Sequence, residues 1–185
     1  TICVGYDGRL SSPSLSAMLI DGLLSTGINV IDIGLCTTPM LYFSNFNQET
    51  DTGVMITGSH NPPEYNGFKI VINKKTLSSN DIQNLYQTIL DSNFLTGEGN
   101  KKSLSIKRQY LDEISDSIKL KRPMKVAIDC GNGAAGVCAE DLFNRLGVET
   151  EPLFCDVDGN FPNHHPDPSN PKNLLDLKDT LKKGD

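Results

Sequence analysis

Twice along the chain, an apolar run of strand length ends in a polar, glycine-bearing turn and passes into apolar positions at helical spacing. The first instance is Ile2-Cys3-Val4-Gly5-Tyr6, then Asp7-Gly8-Arg9, then Leu15, Met18, Leu19, Leu23 and Leu24 up to Gly27. The second is Met124 to Asp129, then Gly131-Asn132-Gly133, then Leu142, Phe143 and Leu146 up to Gly147. A continuous apolar strand must be covered on both faces, and interleaved helices supply that cover. The pattern therefore predicts an α/β fold: a three-layer αβα arrangement around a mixed, largely parallel sheet, with one nearly complete domain and the start of a second, similar one.

Other segments fill in this plan. Ser11-Ser12-Pro13 supplies an N-cap and a first-turn proline for the first helix. Ile28 to Ile33 reads as a second strand, and Thr37-Thr38-Pro39 opens a second helix with Thr38 as its cap. Gly53 to Ile56 and Phe68 to Ile72 read as strands, and Asn66-Gly67 predicts a tight turn and an antiparallel pair. Ser78 to Asp81 caps a helix with Ile82, Leu85, Ile89 and Leu90 on one face, Gly97 to Asn100 is an exposed break, and Ile106 to Leu120 forms a further amphipathic helix. The basic, proline-ended segment Lys119-Leu120-Lys121-Arg122-Pro123 places a domain boundary between residues 1–122 and 123–185. Beyond it, Val148 to Phe154 reads as a strand, residues 156–171 as a long loop, and Leu174, Leu175, Leu177 and Leu181 mark a last helix.

Composition narrows the partners. A formal net charge of -6 repels a phosphate backbone, so nucleic acid is not expected, and no apolar stretch approaches the length of a membrane span. The five cysteines are odd in number and show no C-x-x-C spacing, which predicts buried, reduced thiols and a cytoplasmic protein. The chain begins in a strand and stops at Gly184-Asp185 just after a helix, where an α/β unit is expected to supply another strand.

The stretch with the most chemistry is Thr57-Gly58-Ser59-His60-Asn61-Pro62-Pro63. Gly58 lets a ligand approach the backbone, the prolines fix the exit path, Asn61 can close a local turn, and Ser59 stands at a strand end. Ser59 offers a hydroxyl, His60 a proton carrier and Lys69 a cation on the next strand, a set suited to reversible capture of a phosphoryl group. A bare Gly-Ser would also serve as a plain turn, and the full seven residues favour the reactive reading. Strand alternation sets Phe68 and Ile70 toward the core and Lys69 toward the site. Arg9 suits either an anionic ligand or a carboxylate partner.

Two competing sites are weaker. Gly131-Asn132-Gly133-Ala134-Ala135-Gly136 matches the G-x-G-x-x-G of dinucleotide binding, which would make an NAD(P)-dependent oxidoreductase. Asp129, just before it, places a carboxylate where a pyrophosphate would lie, so a close strand-to-helix turn is the favoured reading. His164-His165 offers two adjacent imidazoles without the spaced partners of a metal site and reads as part of a polar interdomain loop.

Three sets of residues resemble the phosphohexomutases, in their mannose and glucose phosphate branch. They are Thr57 to Pro62 with Tyr65-Asn66-Gly67-Phe68-Lys69, then Val126 to Asp129 with Gly131-Asn132-Gly133, then Phe161-Pro162 with His164 to Pro168. The resemblance implies a phosphorylated Ser59 that exchanges its phosphoryl group with C1 and C6 of a hexose phosphate through a hexose 1,6-bisphosphate. It implies catalytic roles for Ser59, His60 and Lys69, phosphate contact by Ser59 and Arg9, and Mg²⁺ on the phosphate of Ser59 with three aspartates. The aspartate-rich metal loop of the family is not found here and is expected beyond residue 185, among the remaining domains of the parent chain. By itself this stretch is therefore expected to have little mutase activity, and a non-catalytic phosphosugar-binding module is the other alternative.

Overall fold

The computed structural model describes residues 1–48 and 50–183, so Gly184 and Asp185 lie outside the described residues. The first unit is built from β1 (Ile2–Tyr6), α1 (Ser12–Ser25), β2 (Val30–Leu35), α2 (Thr38–Asn47), β3 (Gly53–Ile56), β4 (Phe68–Ile72), β5 (Lys75–Thr76), α3 (Ser79–Leu90), β6 (Lys101–Ser103) and α4 (Lys107–Ser117). The six strands form one sheet in the order β5-β4-β3-β1-β2-β6. β3, β1, β2 and β6 run parallel to one another, while β4 and β5 are antiparallel to their neighbours. The sheet is mixed, as expected.

Alternation sends successive residues of the central strands into two different cores. Cys3, Ile33 and Met55 pack with Met40 and Leu41 of α2 and with Ile106 and Leu111 of the α4 region. Val4, Val30 and Ile56 pack with Ile20 of α1 on the opposite face. Helices thus cover both faces, and β1 and β3 need the unbroken apolar runs that the sequence shows.

The edges depart from the expected pattern. On β4, Val71 is the buried residue at 6% exposure, while Phe68 is 47% exposed. The inward pair is therefore not Phe68 and Ile70. The face carrying Val71, which is also that of Lys69, turns toward Tyr42, Asn45 and Phe46 of α2, and α3 buries none of its residues. The strands β5 and β6 are short and polar, and no apolar pattern announced them. Gly97 and Gly99 are not simply an exposed break: a Cβ on Gly99 would stand 2.1 Å from the Ile28 carbonyl oxygen, so the glycine lets this segment lie against the backbone ahead of β2. The helix caps also differ. Thr37 rather than Thr38 precedes α2, and neither Ser11 nor Thr37 makes a side-chain cap bond.

The second unit contains β7 (Lys125–Asp129), a short 3₁₀ turn over Ala134–Val137, α5 (Ala139–Arg145), β8 (Glu149–Leu153), a second 3₁₀ turn over Pro171–Leu174 and α6 (Leu175–Lys183). β7 and β8 pair in parallel, as a strand-helix-strand unit should. Among the described residues no helix is long and apolar enough to cross a membrane.

Candidate active site

The site grows from the C-terminal ends of β1 and β3, which are adjacent parallel strands. Asp7, just past β1, is 8% exposed and acts as a hub. Its Oδ1 accepts the Ser12 hydroxyl at 2.6 Å and the Arg9 backbone N–H at 3.1 Å, and its Oδ2 accepts the Gly58 N–H at 3.1 Å. The hydroxyl of Ser12 is thus turned to Asp7 rather than to its own helix end. Asn66 completes this patch by donating to the Ser11 and Ser12 hydroxyls at 2.9 and 2.8 Å. The tight turn expected at Asn66-Gly67 is instead the closing end of a longer loop, sealed by the Thr57 N–H donating to the Gly67 carbonyl at 2.9 Å.

Arg9 runs through the middle of that loop. Its Nη1 donates to the carbonyls of Pro62 at 2.6 Å and Tyr65 at 3.0 Å, and its Nη2 to those of Ser59 at 2.9 Å and Asn61 at 2.7 Å. Its Nε lies 3.3 Å from Asp7 Oδ2, and the side chain is 1% exposed. All four terminal N–H groups are committed, so Arg9 holds the loop from within instead of reaching out to an anion. Gly58 is explained by the same contact. A Cβ there would lie 2.3 Å from Arg9 Nε, so the space opened by the missing side chain is filled by the guanidinium and not by a ligand. The planar five-donor head suits this task, and a lysine would not.

Held this way, the loop presents Ser59 and His60 outward, both exposed. Ser59 has φ of +53°, a left-handed conformation uncommon for a residue with a side chain. Its N–H donates to Thr57 Oγ1 at 3.0 Å, and the Asn61 amide donates to the Gly58 carbonyl at 2.9 Å, the local turn anticipated for Asn61. Lys69 stays exposed on β4, opposite Met55 in register, and is not among the cavity-lining residues.

The second unit completes the surroundings. A cavity of about 380 Å³ is lined by Thr57, Ser59 and His60 on one side and by Asp129 and Cys130, the Gly131 and Gly133 turn, Phe161, His164 and Pro166 on the other. His60 Nδ1 is 2.6 Å from the Pro166 carbonyl, and His165 Nε2 is 2.9 Å from the His60 carbonyl. A carbonyl only accepts, so Nδ1 of His60 is the nitrogen placed to donate, and Nε2 is the one turned to other partners. The expected polar loop around His164-His165 is therefore the clasp between the two units. Close backbone packing helps: a Cβ on Gly8 would be 2.2 Å from a Val157 methyl, and one on Gly159 would be 2.6 Å from the Leu10 nitrogen.

His164 has acceptors at both ring nitrogens. Nδ1 lies 3.0 Å from the His165 carbonyl and Nε2 lies 3.0 Å from Asp129 Oδ2, so both nitrogens face acceptors, an arrangement that favours the protonated ring. Burial pulls its pKa down, but the His165 carbonyl and the Asp129 carboxylate outweigh it and the net shift is upward. Asp129 also accepts the Gly131 N–H at 2.8 Å. The glycine turn is filled from inside: the His164 ring lies 3.0 Å from where a Gly131 Cβ would be, and the Cys155 carbonyl oxygen lies 1.9 Å from that of Gly136. These glycines serve close packing, and nothing in the site or in the comparisons below points to a dinucleotide.

Among the described residues no group of three or more His, Cys, Asp or Glu converges as a metal site. The three carboxylates at the cavity are already engaged: Asp7 by three hydrogen-bond donors and the nearby Arg9 guanidinium, Asp129 by His164 and Gly131, and Asp167 by the Ser169 N–H and hydroxyl at 3.0 and 2.6 Å. The residues present do not by themselves fit a Mg²⁺ ion, and no step below passes through one.

The sequence-level reading did not single out Asp7, Ser12, Asn66 or Asn132 as framework residues. Asn132 is 5% exposed, and its side chain donates to the Asp156 carbonyl at 2.9 Å and accepts from Asn163 at 2.8 Å. The one available signal was position, since each of these residues lies in or next to a glycine-bearing turn at a strand end.

Family models described as phosphoglucomutase/phosphomannomutase, alpha/beta/alpha domain I and domain II, match residues 1–95 and 108–185. A phosphomannomutase/phosphoglucomutase of Pseudomonas aeruginosa is 50% identical over 176 residues, which cover 95% of this chain and 38% of the relative. A phosphoglucomutase of Neisseria meningitidis is 50% identical over 186 residues, covering 100% of this chain and 40% of the relative. The crystal structure of a phosphoglucomutase/phosphomannomutase family protein from Burkholderia thailandensis superposes with a TM-score of 0.94 at 44% identity, covering 98% of this chain and 42% of that one. The chain thus spans about two fifths of the length of the relatives it matches.

Proposed function

The chain belongs to the phosphoglucomutase/phosphomannomutase family, and on that premise we propose that it carries the phosphoryl-exchange half of a hexose phosphate mutase site. The observation that bears most weight is the conformation of the Ser59 loop. Four carbonyls gathered on one buried guanidinium leave a serine exposed at the mouth of a cavity large enough for a small phosphorylated ligand. Preorganisation of this kind is what in-line phosphoryl transfer asks of a protein, because positioning does most of the work.

In the proposed step the bond between phosphorus and Ser59 Oγ breaks as a bond to a hexose hydroxyl oxygen forms; that hydroxyl loses its proton, and Ser59 Oγ takes one up to become a hydroxyl again. Nε2 of His60 is the acceptor we assign for the hexose proton, and Lys69 is kept as a further aid to charge balance on the neighbouring strand. The reverse transfer from a hexose 1,6-bisphosphate restores phosphoserine and leaves the isomeric monophosphate. A mannose or glucose phosphate is the proposed substrate, and Mg²⁺ is assigned to the phosphate on Ser59 alone within residues 1–185. We also place the boundary between the two units at residues 122 and 123, at the end of the basic segment Lys119-Leu120-Lys121-Arg122-Pro123.

Incubating the full-length protein with radiolabelled glucose 1,6-bisphosphate tests the reading. The label is expected on the peptide carrying Ser59 and is expected to vanish in Ser59→Ala. Label retained by that variant, or found on another peptide, would overturn it.

A further inference from the structure

Two thiols meet where β7 and β8 end. Asp129 pairs with Leu153 on the parallel ladder, and the Cys130 N–H donates to the Leu153 carbonyl at 3.0 Å. One residue beyond Asp129 and two beyond Leu153, Cys130 Sγ and Cys155 Sγ lie 3.3 Å from one another. The other three cysteines lie in different surroundings. Cys3 Sγ faces the Ser44 and Thr50 hydroxyls, Cys36 Sγ is 3.9 Å from Met55 Sδ, and Cys138 belongs to the apolar core. The pair is also asymmetric in access. Cys155 is half-buried, whereas Cys130 is 8% exposed and lines the cavity that also holds Ser59 and His60.

We propose that Cys130 and Cys155 form a reversible dithiol pair that a hydroperoxide closes to a disulfide at the edge of the Ser59 cavity. Cys155, the more accessible sulfur, reacts first and gives up its thiol proton as it does so. A sulfur–oxygen bond forms, the peroxide O–O bond breaks, and the leaving alkoxide or hydroxide takes up a proton, giving a sulfenic acid on Cys155. The Cys130 sulfur then attacks the Cys155 sulfur: the S–S bond forms, the S–O bond breaks, and water departs with the Cys130 thiol proton. Two thiols lose two electrons, and the peroxide gains them.

The order of events follows from the surroundings. Burial, aided by the neighbouring thiol and by Asp129, pushes the Cys130 thiol up to about 12, so it stays protonated and waits as the resolving partner. A disulfide spans about 2.05 Å, so sulfurs at 3.3 Å need to approach by roughly 1.3 Å, within reach of side-chain rotation. The inference stands on the two thiols alone and holds whether or not the mutase reading does.

The test uses the full-length protein, oxidised with hydrogen peroxide, blocked with N-ethylmaleimide and mapped by mass spectrometry without reduction. The expected result is one crosslinked peptide pair, Cys130 to Cys155, lighter by two hydrogens and reopened by dithiothreitol, with Cys3, Cys36 and Cys138 still free. In Cys130→Ser the sulfenic acid on Cys155 should persist and take up dimedone. Wild-type mapping stands even if that variant fails to fold. Overoxidation of Cys155 without a crosslink, a different pairing, or no reaction while other thiols oxidise would each overturn the proposal.

Discussion

Replacing Arg9 with methionine keeps much of the side chain's length and removes its donors, which makes it a direct probe of how the Ser59 loop is held. Each hydrogen bond from a charged group contributes about 1.5–3 kcal/mol, so a simple sum over the four carbonyls overshoots. Asn61, Pro62 and Tyr65 are exposed, and their carbonyls regain water when the loop opens. The loss of one partner from a buried charged cluster, about 3–5 kcal/mol, is the better guide, and Asp7 retains the Ser12 hydroxyl and the Gly58 N–H. The chain has no tryptophan, so unfolding in urea is best followed by far-UV circular dichroism. With a slope of about 2 kcal/mol per molar urea, the midpoint should fall by roughly 2 M. Hydrogen exchange should show Asn61 and Tyr65 losing protection of the N–H bonds they make to Gly58 and Pro62. Arg9→Lys should recover little, since one ammonium cannot serve four carbonyls. A methionine variant with an unchanged midpoint and unchanged protection, but with a raised KM for a hexose phosphate when carried in the full-length protein, would refute the reasoning and return Arg9 to substrate binding.

Two further outcomes are expected. His164 has its folded-state pKa raised above the ordinary value of about 6.5, so its pairing with Asp129 contributes fully below that value and is lost as pH climbs through the raised one. Melting temperatures taken from about pH 5 to 8 should therefore fall toward the upper end in the parent and be flatter in His164→Gln. Gly136→Ala puts a methyl 1.9 Å from the Cys155 carbonyl oxygen, against backbone that cannot rotate away. It should cost about 1–3 kcal/mol in denaturant unfolding, and a neutral result would mean that the 3₁₀ turn shifts freely.

The parallel core was legible because its strands are apolar on both faces and its helices repeat at their own period. Phe68 and Ile70 were misread because alternation tells only that two faces differ, and which one is covered depends on the reach of α1 and α2. β6 was invisible because an edge strand recruited by backbone pairing to β2 needs no apolar side chains. At the site, Ser59, His60 and Lys69 were read together because their residue types suit one chemistry, whereas His164-His165 was read apart from them, as part of a polar interdomain loop. The part played by Arg9 was hidden. Its partners are carbonyls, which every residue owns, so no side-chain pattern can name them.

The clasp between His60 and residues 165–166 has a consequence for the order in which the protein is made. The first sheet has all its strands once β6 emerges, and the Ser59 loop by then has Asp7 and Arg9 to shape it. The segment that fixes the His60 ring leaves the ribosome only several tens of residues later. A nascent chain therefore passes through an interval with a formed serine loop and an untethered imidazole, and the two halves of the cavity meet only when translation has carried the second unit past Pro166.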